Sequence, residues 1–315
     1  MSRKPSPVIC GLLSLFLLAS CDSGDLTKHL FYTPETPLFS ELVSNDIVRR
    51  IGKVENWVKT DLDLAGQGGD VYGDHVVIMD NEARTMIKDL HSGETISEFK
   101  PIQGDIHPHC NAVSFTKTFF AETDRYPLIY VNAYNAWGLP LGVAYVCRLA
   151  NDDHLQILQI VSLDFVYDGE HWPSSDEHSP YGNFVVDRFD DTLYVYVPDY
   201  GIAKTRIYHF ALPSFNKPIV TLSLDDALSY SEAPLIPFIQ DGYVYHGLLY
   251  TLSGFNLDEE GPPGFLSAID CQTGQIVGGI NITASGLEGE PEAIFPYKGT
   301  LYMTLGETTY YLQGA

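Results

Sequence analysis

Short runs of alternating apolar and polar residues, separated by turn-forming residues, follow one another along the chain from Gly68 onward. In the first group these runs cover residues 70–73, 75–79, 85–90 and 94–99. Alternation with a period of two residues is typical of half-buried β-strands, and tight turns between the runs favour antiparallel pairing. The pattern therefore predicts a four-stranded antiparallel sheet in this region.

The same arrangement returns along the rest of the chain. Further strands are predicted at residues 111–115, 127–131, 143–147 and 155–161, then at 183–187, 192–197, 206–210 and 219–224, then at 242–246, 248–252, 265–270 and 276–280, and finally at 292–295, 300–304 and 309–312. The last group lacks a fourth strand, which residues 58–62 are placed to supply. A single sheet of this kind cannot bury both of its faces, whereas radial stacking of several sheets can.

The turns at Ser92-Gly93 and Thr273-Gly274 each fall between the two outer strands of a predicted sheet. These turns resemble those of bacterial YVTN and quinoprotein-like propeller repeats, and the likeness extends over residues 66–315. The resemblance implies an all-β fold, a β-propeller of about five four-stranded blades, with five to seven possible. A β-sandwich or two stacked β domains is the alternative that the pattern leaves open.

The first residues of the chain have the pattern of an export signal. Arg3 and Lys4 precede an almost wholly apolar run over residues 8–18, which is far shorter than the roughly 20 residues of a membrane-spanning helix. The sequence Leu18-Ala19-Ser20-Cys21 then resembles the lipobox of bacterial lipoproteins. That resemblance implies cleavage before Cys21, lipidation of this cysteine and anchoring to a cell-envelope membrane, on its periplasmic or surface side. An ordinary signal peptide with a chance cysteine is the alternative.

These features divide the chain into four parts. Residues 1–20 are the predicted lipoprotein signal peptide, and residues 21–36 are the lipidated cysteine and a tether. Residues 37–65 form an N-terminal segment, with a short helical pattern at its start, that packs on or closes the ring. Residues 66–315 are the propeller domain.

Composition narrows the possible partners and the covalent links. The chain has a formal net charge of −23 and 45% hydrophobic residues, so it can bury a large core but offers no basic surface for nucleic acid. After removal of the signal, three cysteines remain besides Cys21. Cys110 and Cys147 can form one disulfide in an oxidising compartment, or all three, including Cys271, can be free and buried.

The innermost strand of each propeller blade begins at the same mouth of the central channel, so the residues at those positions face one space. Here they are polar, and such a ring offers oxygen and nitrogen ligands to a divalent cation or to a hydroxyl-rich molecule. A polar mouth that is merely filled with water is the alternative. The candidate ligand-binding residues at these positions are Asp70, His109, Asn111, Asn183, Gln240 and Glu292.

Two further features bear on chemistry. His107 and His109 lie two residues apart and point to one side of an extended segment, so with Glu292 they form a candidate metal site. A long insert over residues 164–182 carries His171 and Trp172, and its aromatic content favours a binding loop or lid.

No nucleophile elbow, phosphate loop, dinucleotide fingerprint or zinc-protease helix occurs in the sequence. Two functions remain. The favoured one is a lipid-anchored envelope propeller that binds a glycan, a peptide or a protein at its acidic channel mouth and aromatic insert, and it needs no catalytic geometry. The other is a metal-assisted lyase or hydrolase that acts on an extracellular polymer. The sequence leaves open whether the protein is an enzyme and favours binding.

Overall fold

A computed structural model gives the fold of the chain. It describes residues 31–32, 57–100, 108–133, 143–150, 153–164, 166–167, 170–171, 182–199, 201–254 and 263–313. The predicted signal peptide, Cys21, the tether and the helical pattern after residue 37 lie outside these residues. None of the helices in the described ranges is long and apolar enough to cross a membrane.

Almost all regular structure in the described ranges is β-strand, together with a 3₁₀ turn at Leu224–Asp226 and one short helix, α1, at Ile282–Ser285. The strands are β1 (Phe31–Tyr32), β2 (Trp57–Lys59), β3 (Gly68–Tyr72), β4 (His75–Met79), β5 (Thr85–Asp89), β6 (Thr95–Phe99), β7 (Val113–Phe115), β8 (Thr118–Phe119), β9 (Ile129–Ala133), β10 (Val143–Ala150), β11 (His154–Asp164), β12 (Val166–Tyr167), β13 (Glu170–His171), β14 (Asn183–Asp187), β15 (Thr192–Asp199), β16 (Lys204–Ala211), β17 (Ile219–Ser223), β18 (Ser229–Pro234), β19 (Ile239–Tyr245), β20 (Leu248–Ser253), β21 (Phe265–Asp270), β22 (Ile276–Asn281), β23 (Pro291–Tyr297), β24 (Thr300–Leu305) and β25 (Thr308–Leu312).

Five sheets form the blades of a propeller. Blade 1 has the order β3-β4-β5-β6, blade 3 the order β14-β15-β16-β18, and blade 4 the order β19-β20-β21-β22. Blade 2 contains β7, β9, β10, β11 and β17, and blade 5 contains β23, β24, β25 and β2. The all-β, five-bladed fold predicted from the strand pattern is therefore confirmed.

Blade 5 combines strands from distant parts of the chain. Its outermost strand is β2, which pairs antiparallel with β25 so that Trp57 lies opposite Leu312 and Lys59 opposite Tyr310. An early strand thus completes the last sheet. Because this pairing ties distant parts of the chain together, it fixes the ring in its closed form.

One strand lies in a different blade from the one predicted. Residues 219–224 were expected to form the fourth strand of blade 3, but β17 runs parallel to β11 as a fifth strand of blade 2. The fourth strand of blade 3 is β18 instead, antiparallel to β16. Gln159 of β11 donates hydrogen bonds to the carbonyls of Ser214 and Lys217. The connection between β16 and β17 is therefore hydrogen-bonded to blade 2 just before β17 begins.

The core consists of apolar layers between neighbouring blades. In the layer between blades 5 and 1, Val71 and Ile78 pack with Phe295, all of them almost fully buried. The inner strands β14, β19 and β23 are buried at every position. These strands lose the simple alternation of buried and exposed residues because blades cover both of their faces.

Side chains near the axis also fasten each inner strand to the next blade. The Asp70 carboxylate accepts a hydrogen bond from the Phe115 N–H at 2.8 Å, and the Ser114 hydroxyl accepts one from the Val186 N–H at 3.0 Å. Asp187 accepts from the Gly247 N–H at 2.9 Å. These contacts join blades 1 to 2, 2 to 3 and 3 to 4.

Asp241 completes this set between blades 4, 5 and 1. Its carboxylate accepts hydrogen bonds from the N–H groups of Ile294 at 2.9 Å and Gly69 at 3.4 Å. Burial raises the pKa of Asp241 well above its ordinary value, against the opposing effect of these N–H donors. One side chain therefore links three blades at the axis.

Candidate functional site

The five inner strands begin at one end of the axis, which is called the upper mouth here. Three asparagines converge there from blades 2 and 3. Asn111 donates to the Ile239 carbonyl of blade 4 at 3.2 Å, and Asn132 donates to Asn183 at 2.9 Å. All three side chains are fully buried, and Asn111 Oδ1, Asn132 Oδ1 and Asn183 Nδ2 have no hydrogen-bond partner among the described residues.

Gly68 allows blade 1 to approach blade 2 closely at this mouth. A Cβ atom on Gly68 would lie 2.5 Å from the Cys110 carbonyl oxygen, far inside van der Waals contact. The close approach of these two blades therefore requires glycine at position 68. Cys110, Cys147 and Cys271 are all free and buried, so the disulfide that the sequence left open between Cys110 and Cys147 is not formed.

Asp70 and Gln240, two of the candidate ligand-binding residues, are engaged within the protein. Asp70 accepts from the Val71 and Phe115 N–H groups and lies 3.8 Å from the Arg188 guanidinium. Burial raises the pKa of Asp70, although Arg188 lowers it. Gln240 Nε2 donates to Glu290 at 3.0 Å.

Glu292 has a different environment, because its side chain is buried without being fully hydrogen-bonded. It is 8% exposed, and Oε2 has no hydrogen-bond partner among the described residues. Burial, with a smaller contribution from the Glu290 charge, raises the pKa of Glu292 to about 9. Burial also raises the pKa of Glu290, while the Gln240 amide lowers it. At neutral pH Glu292 is therefore a neutral carboxylic acid.

Glu292 lines a cleft between blades 1 and 5, called the blade 1–5 cleft here. Its volume is about 400 Å³, which is within the usual range for small-molecule sites. Blade 5 contributes Glu292 and Gly306, and Ile78 and Met86 form an apolar part on blade 1. The polar side chains around it are Asp63, Gln67, Asp80, Asn81, Arg84 and Glu98.

Two of these polar side chains differ in how well they are satisfied. Gln67 Oε1 is buried and has no hydrogen-bond partner in the described part of the chain. Asp80 accepts from the N–H groups of Glu82 and Arg84, both at 2.8 Å, and its other oxygen lies 3.9 Å from Arg84 Nε. Among the described residues that line the cleft, the buried side-chain oxygens without a hydrogen-bond partner are therefore Gln67 Oε1 and Glu292 Oε2.

His109 lies beside this cleft without lining it. Its backbone N–H donates to the Asn81 carbonyl at 3.0 Å, and its φ of 51° places it in the left-handed region. Burial lowers the pKa of His109, so the imidazole is neutral at neutral pH.

Other residues singled out in the sequence are only partly described. His107 and Trp172 lie outside the described residues. His171 belongs to β13, which pairs with β12, and its side chain lies outside the description. Within the described ranges, no three His, Cys, Asp or Glu side chains are close enough to form a metal site, so His109 and Glu292 do not make one with a described third ligand.

Sequence reasoning located Glu292 but missed most of its neighbours in the cleft. Gln67 directly precedes β3, while Asp80 and Arg84 lie between β4 and β5. Because successive antiparallel strands reverse direction, the β4–β5 turn returns to the end where β3 begins. The alternating direction of the strands alone therefore places these residues at the upper mouth.

No family profile and no curated protein sequence matches the chain. Among solved structures, the glutaminyl cyclase of Myxococcus xanthus is similar at 13% identity and a TM-score of 0.44, over 81% of this chain and 92% of that one. By its own strand order, the chain is a five-bladed β-propeller.

Proposed function

We propose that the protein is a lipid-anchored propeller of the cell envelope that binds a ligand, a glycan, peptide or partner protein, in the blade 1–5 cleft. The observation that carries this proposal is the pair of buried, unsatisfied oxygens at Glu292 and Gln67. A buried polar atom without a partner costs about 1–3 kcal/mol. Because both atoms belong to residues lining one cleft, a bound molecule can supply the hydrogen bonds that the protein does not.

The charges around the cleft favour some ligands over others. Asp63, Asp80 and Glu98 are carboxylates, and Arg84 is the one cation among the lining residues. Like charges repel at close range in a partly enclosed space. The cleft therefore disfavours phosphates and other anions and accepts neutral or cationic groups.

The ligand-binding proposal is tested by thermal unfolding in the presence of envelope-derived glycan, peptide and protein fractions. We expect at least one fraction to raise the melting temperature of the wild type, since a ligand that binds only the folded state stabilises it. The same fraction should leave Glu292→Ala unshifted. Equal shifts in both proteins would place the binding elsewhere and overturn the proposal.

The anchor is proposed from Leu18-Ala19-Ser20-Cys21. Cells that express the full chain are labelled with palmitate and the protein is followed by mass and by membrane fractionation. The wild type should carry the label and sediment with membranes, because several acyl chains on one residue bind a bilayer stably. Cys21→Ser should be unlabelled. A labelled Cys21→Ser protein would contradict acylation at this residue.

A further inference from the structure

The blade 1–5 cleft crosses several strands of blade 1. Ile78 on β4 lies opposite Met86 on β5, and Met86 lies opposite Glu98 on β6. All three residues line the cleft. Neighbouring strands are about 4.8 Å apart, so this row covers about 10 Å in the direction away from the axis. The cleft therefore extends outward over three strands of blade 1.

At the end of the cleft nearest the axis, a ligand needs a group that can both donate and accept hydrogen bonds. Gln67 Oε1 is an acceptor that needs a donor, and Glu292 is a neutral acid with an unsatisfied oxygen. A hydroxyl group donates one hydrogen bond and accepts others, whereas a peptide N–H only donates and a carbonyl only accepts. A hydroxyl group therefore suits the needs of Gln67 and of Glu292 alike.

The remaining surface of the cleft has an apolar part, and hydrogen-bond acceptors lie farther from the axis. Met86 offers carbon and sulfur atoms to the C–H face of a ring, and such a contact contributes through burial of apolar area. Glu98 and Asp63 are carboxylates that accept hydrogen bonds from hydroxyl groups. The same carboxylates repel a polymer that carries acidic groups.

We infer that the blade 1–5 cleft binds a neutral oligosaccharide, with hydroxyl groups hydrogen-bonded to Glu292 and Gln67 and successive sugar units lying over Met86 toward Glu98. This inference rests on the proposed ligand-binding function of the cleft and names its ligand class. It assigns Gln67 and Met86 to binding, beside Glu292.

The test is titration calorimetry of the full-length protein in detergent at neutral pH. The probes are three neutral tetrasaccharides, namely those of N-acetylglucosamine, β-linked glucose and α-linked glucose, with tetralysine and tetragalacturonate as charged probes. We expect a neutral tetrasaccharide to bind, with the same heat in buffers of different ionisation enthalpy, because Glu292 keeps its proton. A cation seated on Glu292 would instead displace that proton and make the heat depend on the buffer.

Three variants locate the binding. Glu292→Ala and Gln67→Ala should each weaken the bound tetrasaccharide by about tenfold or more, the effect of losing one hydrogen bond to a buried group. Glu94→Ala, an exposed residue of the β5–β6 turn, should leave the affinity unchanged. Gln67→Ala keeps the test decisive if Glu292→Ala does not fold.

The possible failures are distinguishable. Binding of tetralysine or tetragalacturonate that depends on Glu292, with none of the neutral tetrasaccharides bound, would overturn the oligosaccharide inference and retain the cleft as a binding site. Absence of Glu292-dependent binding by every probe would overturn the inference. If the envelope fractions also raise the melting temperatures of Glu292→Ala and wild type equally, the proposed function is overturned together with the oligosaccharide inference.

Discussion

At the scale of single residues, the protonation of Glu292 is the chemical feature of the cleft that distinguishes it from a solvated acidic surface. Burial beside Glu290 raises the pKa of Glu292 to about 9, and a buried neutral acid is a hydrogen-bond donor as well as an acceptor. Perturbed carboxyl groups in clefts are frequent at functional sites. Asp70 shows the contrast, since its buried carboxylate is occupied by backbone N–H groups.

This protonation predicts how stability depends on pH. Because the pKa of Glu292 is higher in the folded state, its stabilising contribution is complete below about pH 4.5 and is lost as pH rises through about 9. Glu292→Gln resembles the neutral acid at every pH. We therefore expect the wild type to match Glu292→Gln near pH 4.5 and to become less stable than it by a few kcal/mol near pH 9, as measured by urea unfolding.

The matched control for this prediction is Glu94→Gln, since Glu94 is an exposed glutamate of blade 1. Its unfolding free energy should follow that of the wild type across the pH range. The pKa of Glu290 is also raised, chiefly by burial, and Glu290 is present in both proteins. Parallel curves for wild type and Glu292→Gln would contradict the buried, protonated state of Glu292.

At the scale of the elements, the inner strands are held by side chains that accept hydrogen bonds from the next blade. Asp241 links the most blades among these, because its carboxylate accepts from Gly242 of blade 4, Ile294 of blade 5 and Gly69 of blade 1. Such bonds lie at the axis, where the inner strands have no neighbour in their own sheet on that side. They therefore replace the backbone pairing that an inner edge strand lacks.

Removal of one such contact should weaken the ring. Asp241→Ala leaves the buried N–H groups of Gly242 and Ile294 without their acceptor, so we expect a loss of about 2–4 kcal/mol in the free energy of unfolding. Asp225→Ala, at an exposed position in the 3₁₀ turn, should change it little. Denaturant unfolding measures both. Equal stability of Asp241→Ala and the wild type would show that these contacts do not support the ring.

The element scale is also where sequence reasoning succeeds and fails. Alternation and turns located the strands of blades 1 and 4, because each such strand is bordered by turn residues. The same alternation identified residues 219–224 as a strand but carried no information on its partner, which is β11 of another blade. Likewise, the positions that begin inner strands led to Glu292 but also to Asp70, because pattern does not reveal whether a carboxylate is already engaged.

At the scale of the whole molecule, the ring is closed by β2 against β25. Trp57 is 6% exposed and belongs to the apolar layer between blades 4 and 5, together with Leu252 and Leu312. This layer therefore depends on a residue that lies far from the rest of it in sequence. Closure of this kind couples the blades into one cooperative unit.

Trp57→Ala tests that coupling. Loss of a large buried aromatic side chain costs about 3–5 kcal/mol, so we expect a corresponding fall in the free energy of unfolding. Lys59→Ala changes an exposed residue of the same strand and should have little effect. Urea unfolding, followed by far-UV circular dichroism, measures the free energy of unfolding of both variants. A stability of Trp57→Ala within error of Lys59→Ala would contradict a structural role for this closure.

The central claim is that a protonated Glu292 in the blade 1–5 cleft receives a ligand, and carbon-13 NMR of glutamate side-chain carboxyls tests it most directly. The resonance that disappears in Glu292→Gln identifies the group. The account predicts that this resonance titrates with a pKa of about 9 and shifts when the bound tetrasaccharide is added. The claim would be contradicted by a resonance that titrates near the ordinary glutamate pKa of about 4.3 and whose chemical shift does not change when a ligand of the protein is added.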